Sequence, residues 1–455
     1  MQPLPEKLPI FVAPPVLRPD GSPVLGRVLI ANRGEIACRV IRTCKLLFIT
    51  TIAVFADEDQ DSLHVQQADE AICIGPADAQ PYQNIKALIE VAKSAKVDAI
   101  HPGYGYLSEN ASFAAAVAAA GIRFIGSSPE SISQLGDKRD AKEYLSKNSS
   151  VPLIPGYAGR DQDPADLEAE AEKIGYPVLI KASAGGGGKG MRIVREKSEF
   201  KEALLRCTSE AERSFGSGHC LIEKYIESGK HIEMQVFGDG ETFISLLDRE
   251  CSIQRRHQKI VEESPSMWLS SSMRQEMSDC ALEIARLLKY ESAGTVEFIV
   301  DIEQKKFYFL EVNTRIQVEH PITEEVVGVD IVALQIFVAA GGKLASLPEL
   351  KTIRQQGHAV EVRLCAENPF NDFLPCTGTM SVFELPKESE TGWKHLRFET
   401  GIQSGSKISV HFDSMICKII AWAPTRGEAV SKIIFALKQT TCLGVITNQI
   451  FLQRI

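Results

Sequence analysis

The sequence predicts an α/β and α+β chain in which a doubly wound domain comes first, a unit of antiparallel hairpins with a glycine-rich flap follows, and mixed short strands with a helix come last. Three stretches carry that prediction. Residues 25–57, LGRVLIANRGEIACRVIRTCKLLFITTIAVFAD, alternate a buried strand, a glycine turn, a helix and a second apolar strand, the β-α-β unit of a doubly wound sheet. Residues 177–194, PVLIKASAGGGGKGMRIV, set two strands about four successive glycines. Residues 294–311 form a hairpin that runs on into EVNTRIQVEH, with polar groups at every second place.

Composition narrows the class. A chain of 455 residues holds roughly two to four structural units. With 44% hydrophobic and 24% charged residues it has the make-up of an ordinary globular protein, without disorder or a membrane span. A formal charge of −9 argues against a nucleic-acid footprint. The 11 cysteines are scattered, odd in number and form no CxxC pair, so neither a disulfide framework nor a zinc ribbon is indicated and a reducing compartment is expected. The proline-rich residues 1–24 read as an extended lead-in. They lack the apolar core of a secretory signal and the amphipathicity of an organelle presequence, so the expected location is intracellular, cytoplasmic or mitochondrial.

In the first unit, ANRGEIA holds a single glycine, so it is not the dinucleotide fingerprint. An apolar strand ending at Ala99-Ile100 delivers HPGYGYLSEN, in which Gly103 and Gly105 permit a tight turn that aims Tyr104 outward. A helical stretch beginning at Gly136-Asp137-Lys138 leads to Pro152 and Pro155, which mark a boundary. A charged helix (164–174) and a strand (177–183) follow. The glycines after it bring backbone N–H groups within reach of a phosphate and suit a flap over a nucleotide. A Walker A loop is excluded, because Gly190 follows Lys189.

Residues 220–263 read as the strands CLIEKYI, HIEMQVFGD and ETFISLLDRE, then CSIQRRHQKIVEE, in which the run Gln254-Arg255-Arg256-His257-Gln258-Lys259 is cationic. After a helix (271–288), the hairpin brings Glu297 opposite Glu311 with Asn313 one step along, oxygen ligands able to hold Mg²⁺ against a polyphosphate. If the strand continues to His320, then Glu311, Asn313, Arg315, Gln317 and Glu319 share one side. That wall combines cation ligands, an anion holder and a candidate base. The last segment starts near Gly357 with HAVEVRLCAENP, placing Arg363 on a strand, and includes a helix at 426–437.

Taken in order, LIANRGEIA, HPGYGYLSEN, GDK, PVLIKASAGGGGKGMRIV, EKYI, CSIQRRHQKIVEE, GTVEF, FLEVNTRIQVEHPITE and GHAVEVRL resemble the biotin carboxylase component of biotin-dependent carboxylases, an ATP-grasp fold, across roughly residues 25–455. The likeness is to the version in acyl-CoA carboxylase α subunits of the methylcrotonyl- and propionyl-CoA type. It implies an N-terminal domain at 25–138, an ATP-grasp unit at 139–345 with a lid at about 153–225, and a C-terminal biotin carboxylase domain at 346–455. It implies a reaction in which ATP phosphorylates bicarbonate to carboxyphosphate, and the CO₂ released from this is captured by a ureido nitrogen of biotin. Lys138 and Lys181 would hold the nucleotide phosphates beside Gly187 and Gly188. Glu223, Lys224, Ile226, His231, Gln254, His257 and Ile299 would line the nucleotide pocket, and Glu297, Glu311 and Asn313 would present Mg²⁺ or Mn²⁺. Lys259, Arg315, Gln317 and Val318 would hold bicarbonate, Glu319 would remove its proton, and Arg363, with Tyr104 close by, would stabilise the biotin enolate.

The family's biotinylated segment and carboxyltransferase are not in this sequence, so the resemblance implies a carrier domain and a carboxyltransferase on another segment or subunit, and a homodimer or larger complex. Several positions depart from the family pattern. Ala184 stands where a flap glycine is usual, Phe48 where a glycine cap is usual, Ser264-Pro265-Ser266-Met267-Trp268 replaces Ala-Pro-Ala-Pro, and Glu325 and Val327 replace Met and Thr. Strain or a different chain exit is expected at Phe48. Two other readings stand beside the carboxylase: another ATP-grasp ligase, and a catalytically silent nucleotide-binding module.

Overall fold

Five parallel strands open the molecule, ordered Glu70–Cys73, Thr50–Phe55, Arg27–Ile30, Ala99–His101, Arg123–Phe124. The computed structural model describes residues 5–183, 190–256 and 258–455; Ala184, Gly187, Gly188 and His257 lie outside the described residues. The central strands are buried on both faces, which their unbroken apolar runs require. The order outward from Arg27–Ile30 reverses between that strand and Ala99–His101, so the chain leaving each carboxyl end meets the other in a crevice. There Asn32 Nδ2 donates to the carbonyls of Pro102 and Tyr104, both at 2.7 Å. Gly103 has φ +62°, and a Cβ on it would lie 2.8 Å from Asn32 Nδ2, so glycine is required at that approach.

Phe48 takes the left-handed conformation that its position predicts, with φ +56° and a side chain 93% exposed. It ends the helix Gly34–Leu46, with its N–H on the carbonyl of Lys45 and that of Ile49 on Cys44. The lead-in is docked rather than loose where it is described. Phe11 exchanges backbone hydrogen bonds with Gly328 and Asp330 at 2.8 Å, and Lys7 Nζ lies 2.5 Å from Glu325 Oε2. Arg397 holds the other oxygen of Glu325 at 3.1 Å, so the carboxylate that departs from the family pattern is a buried, paired one.

A four-stranded sheet, Gly156–Tyr157, Cys220–Lys224, Val178–Ala182, Met191–Val194, is backed by the helices Pro164–Ile174 and Lys197–Phe215. Beyond it runs one eight-stranded sheet: Lys306–Asn313, Glu291–Asp301, Gly229–Asp239, Phe243–Arg255, Gln258–Ser264, His358–Cys365, Met415–Ala423, Leu396–Thr400. Its middle and last segments are thus welded by backbone hydrogen bonds between Gln258–Ser264 and His358–Cys365. Among the described residues no helix is long and apolar enough to cross a membrane.

Candidate functional site

A cavity of about 890 Å³ lies between the two antiparallel sheets and reaches the crevice of the parallel one. Of the predicted site residues that are described, Tyr104, Lys138, Lys181, Glu223, Lys224, Ile226, His231, Gln254, Lys259, Glu297, Ile299, Glu311, Asn313, Arg315, Gln317, Val318, Glu319 and Arg363 all line it. Two motifs hundreds of residues apart, HPGYG and VEVRL, therefore meet the hairpin strand across one space.

The hairpin register explains the acidic wall. Glu297 pairs with Glu311, Val296 with Val312 and Thr295 with Asn313, and a bulge after Glu297 accommodates Leu310. On its other edge Glu291–Asp301 sets Glu297 opposite Glu233, and Glu233 is in turn opposite Arg249. The strand ends at Asn313, however, and does not continue to His320. Residues 314–319 form an irregular turn that enters the helix His320–Val327, because among the described residues no strand pairs with them. Arg315, Gln317 and Glu319 still reach the cavity, from a turn and a helix start instead of from a pleat.

One ammonium ties the deep end together. Lys259 Nζ lies 2.5 Å from Glu233 Oε2, 2.9 Å from Glu297 Oε1 and 2.8 Å from Glu319 Oε1. Arg363 Nη2 holds the second oxygen of Glu319 at 2.8 Å and Arg363 Nε donates to Glu262 Oε1 at 2.7 Å. Burial alone would raise the pKa of Glu319, but Lys259, Arg363 and Arg249 overcome it and hold the carboxyl well below its usual range. Burial likewise opposes charge on Lys259, and Glu233, Glu297 and Glu319 outweigh it, so the ammonium stays charged. Arg315 is half-buried, with Nε 2.9 Å from Glu109 Oε2 and Nη2 3.2 Å from Asn313 Oδ1.

Glu297 is saturated: Oε1 accepts from Lys259, Asn313 Nδ2 (2.7 Å) and Gln317 Nε2 (2.8 Å), and His231 Nε2 lies 2.5 Å from Oε2. Burial disfavours a charged His231, yet Glu297 raises it above the ordinary histidine value. Gln254 Nε2 sits 3.2 Å from the other ring nitrogen. Glu311 carries Lys138 Nζ at 3.0 Å. Two cross-strand carboxylates and an amide oxygen form a donor set suited to a hard divalent cation, and the protein's own ammoniums now neutralise it, so the residues fit such an ion.

At the other end, Lys181 Nζ lies 2.7 Å from Glu223 Oε2 and Lys142 contacts Glu223 Oε1. With Lys138 on Glu311, three lysines gather around two carboxylates. Burial, then Lys142 and Lys138, hold Lys181 well below the usual lysine range. Lys224 lines the cavity as expected, while its ammonium donates to the carbonyls of Gly175 and Tyr176, both at 2.9 Å, and so fastens the backbone. Tyr104 is not aimed outward. Its hydroxyl donates to Glu35 at the start of the first helix, and Glu35 in turn lies 3.2 Å from the buried Lys418. Glu35, Glu109, Glu233, Arg249 and Lys418 are the site's supports that the motifs did not single out. Glu35 and Glu109 lie inside LIANRGEIA and HPGYGYLSEN, where no role was given to them, and Glu233 lies in the alternation of His231-Ile232-Glu233.

Three family models match this chain: the N-terminal domain of biotin carboxylase over residues 24–132, the ATP-binding domain of the carbamoyl-phosphate synthase L chain over 137–347, and the C-terminal domain of biotin carboxylase over 361–455. The mitochondrial methylcrotonoyl-CoA carboxylase subunit alpha of Mus musculus is 46% identical over 439 residues, which is 96% of this chain and 60% of that protein. The mitochondrial propionyl-CoA carboxylase alpha chain of Homo sapiens is 46% identical over 432 residues, 94% of this chain and 58% of that one. This chain thus spans about 60% of the length of the curated relatives it matches. The biotin carboxylase domain dimer of the Hydrogenobacter thermophilus 2-oxoglutarate carboxylase, solved with MgADP, ADP and bicarbonate, is 44% identical at a TM-score of 0.90, covering 95% of this chain and 93% of that one.

Proposed function

The chain belongs to the biotin carboxylase family, and from that premise we propose that it carboxylates biotin borne on a carrier protein, joining ATP and bicarbonate through carboxyphosphate. The observation that carries the reading is the tie from Lys259 to Glu319 to Arg363 at the deep end of a cavity whose other end gathers Lys138, Lys142 and Lys181 around Glu223 and Glu311.

Bicarbonate is a weak nucleophile and ATP is heavily anionic, so an enzyme joining them must screen like charges, hold the partners in line and offer a base. Lys138 and Lys181, with Glu223, Ile226, His231, Gln254 and Ile299 around them, receive the nucleotide. Glu297, Glu311 and Asn313 would hold Mg²⁺ or Mn²⁺, which when bound would neutralise phosphate oxygens. Lys259, Arg315, Gln317 and the backbone of Val318 hold bicarbonate. Glu319 takes its proton: the two cations beside it make it a weak base but keep it ionised, and a positioned base contributes ~10²–10⁴-fold in rate. Arg363, permanently charged and forked, offers its guanidinium to the biotin enolate near Tyr104.

The carrier and carboxyltransferase belong to another segment or subunit, and the working unit is a homodimer or a larger complex. The division into 25–138, 139–345 and 346–455 follows the motif order, and the location is intracellular, cytoplasmic or mitochondrial. ATP cleavage that depends on bicarbonate and rises with free biotin tests the reading. Equal cleavage without bicarbonate points to another ATP-grasp ligase, and tight ATP binding without turnover points to a silent nucleotide-binding module.

A further inference from the structure

Behind Arg363 the eight-stranded sheet buries two carboxylates for which the proposed reaction has no use. Glu262 and Glu361 stand directly opposite each other on antiparallel strands, so their side chains leave the same face with Cβ atoms about 4.5–5.5 Å apart. Both residues are 0% exposed. Glu262 Oε1 accepts from Arg363, but Glu262 Oε2 and both oxygens of Glu361 have no hydrogen-bond partner among the described residues. Adjacent acids sealed from solvent cannot both remain charged with three oxygens unsatisfied: their charges repel and neither is hydrated. One proton removes a charge and supplies an O–H donor between them.

The groups facing the pair are few. Arg363 and Lys418 stand opposite each other on the neighbouring strands. Lys259 and Cys251 act on Glu262, and Glu319, just before the helix His320–Val327, acts on both acids. Lys259 is taken by Glu233, Glu297 and Glu319, while Lys418 is taken by Glu35 at 3.2 Å and the carbonyl of Val318 at 2.8 Å. His320 is held neutral by burial and by Lys418. Lys418 is the foremost cation acting on Glu361, ahead of Arg363, but among the described residues only Arg363 hydrogen-bonds to the pair, through Glu262, and it shares Glu319 with Lys259. In keeping with this, burial pushes Glu262 up to about 7 against the pull of Arg363, and raises Glu361 well above the carboxylate range.

We infer that Glu262 and Glu361 hold one proton between them, and that this buried acid pair positions Arg363 by keeping a single negative charge behind the guanidinium. With one charge behind it, Arg363 spans Glu262 and Glu319 at 2.7 and 2.8 Å. Loss of the shared proton doubles that charge and draws Arg363 back from Glu319 and the cavity. Glu262 and Glu361 are thus positioning residues, and their effect on turnover rests on the biotin carboxylase reading.

Infrared difference spectroscopy of the whole chain at neutral pH tests the proton without reference to turnover. Glu361→Gln is expected to lose one D₂O-sensitive carboxylic acid band and no carboxylate band, and the Glu262→Gln/Glu361→Gln double variant one of each. Loss of carboxylate bands alone, or of two acid bands, overturns the inference. In the pH profile of biotin carboxylation, Glu361→Gln should carry the alkaline limb upward by about one unit or more, because the remaining pair can no longer gain a second charge. A profile that superposes on the wild type overturns the positioning role. Should Glu361→Gln not fold, Glu262→Gln supplies the comparison, with an expected loss of biotin carboxylation exceeding that of bicarbonate-dependent ATP cleavage; equal losses count against it. A wild-type chain without bicarbonate-dependent ATP cleavage would sink the functional reading, while the infrared result would still decide the shared proton.

Discussion

Replacing Lys259 by methionine removes an ammonium while keeping most of the chain length that fills its place. That ammonium lies 2.5–2.9 Å from three carboxylates on a side chain only 15% exposed. A unit pair 4 Å apart is worth ~4 kcal/mol at an effective dielectric of about 20, and removing one partner of a buried pair costs about 3–5 kcal/mol. Burial opposes ionisation of Glu319, and Lys259 is the foremost charge that overcomes it, ahead of Arg363 and Arg249. If ~3 kcal/mol of that support is lost, at 1.36 kcal/mol per unit the carboxyl rises by about 2 units. The wild-type carboxyl is depressed, so it is ionised across the neutral range and protonates only in strong acid. In the variant, protonation moves toward neutrality, and the acid limb of bicarbonate-dependent ATP cleavage moves up with it. Cleavage itself should fall by ~10²-fold or more. ATP affinity measured without bicarbonate and without divalent metal should change by less than about 3-fold, an allowance of under 1 kcal/mol, because Lys181 pairs with Glu223 and Lys138 with Glu311, while the Glu297 that Lys259 contacts would act through the metal. A variant that loses ATP affinity in step with turnover, or whose acid limb stays put, refutes the assignment.

Other outcomes follow from the same geometry. Arg363→Ala should spare bicarbonate-dependent ATP cleavage far more than biotin carboxylation, measured side by side; a proportionate loss of both contradicts its role at the enolate. Because burial and its lysine neighbours depress Lys181, a bound polyphosphate raises its pKa, so ATP binding should take up protons at alkaline pH. Calorimetry in buffers of different ionisation enthalpy reads that uptake, and proton release would contradict it. Phe48→Gly should stabilise the chain by about 1 kcal/mol, since the left-handed conformation costs a side chain ~1–2 kcal/mol and this one is 93% exposed at φ +56°. Denaturant titration checks it, with a lowered midpoint as the adverse result.

Much of this fold is legible in local sequence. The apolar runs at 28–31 and 51–55 with a helix between them can pack only as a parallel unit, and the helix read at 164–174 is the one observed. The pairing of Glu297 with Glu311 was readable because a short polar turn fixes the register of both strands. What stayed hidden depends on partners far along the chain. HPGYGYLSEN marks Glu109 as part of a motif but does not say that it will hold Arg315, 206 residues away, and nothing in VEVRL says that Glu361 will face Glu262 across a sheet joint. The direction of Tyr104 was misread for the same reason: its turn is local, but the Glu35 that draws it inward lies on another element.

The stretch from Glu311 to Glu319 shows how a wrong conformation can still name the right residues. Alternation is a rule about extended chain, and extended chain persists only while a neighbouring strand satisfies its backbone. The ladder from Glu291–Asp301 supplies its last partner at Thr295, opposite Asn313. Past that point the backbone turns and starts a helix, whose early N–H groups need no strand beside them. Arg315 and Glu319 are brought to the cavity by what they bind there, Glu109 and Asn313 for the one, Lys259 and Arg363 for the other. Charge pairing therefore fixes side chains that the pleat was expected to aim, and it follows that substitutions at Lys259 or Arg363 should displace Glu319 more than substitutions at the alternating apolar positions Val312 and Val318. A crystal structure of Lys259→Met with Glu319 unmoved, or of Val318→Ala with Glu319 turned away, would show that the local backbone, and not the buried ion pairs, sets the position of the base.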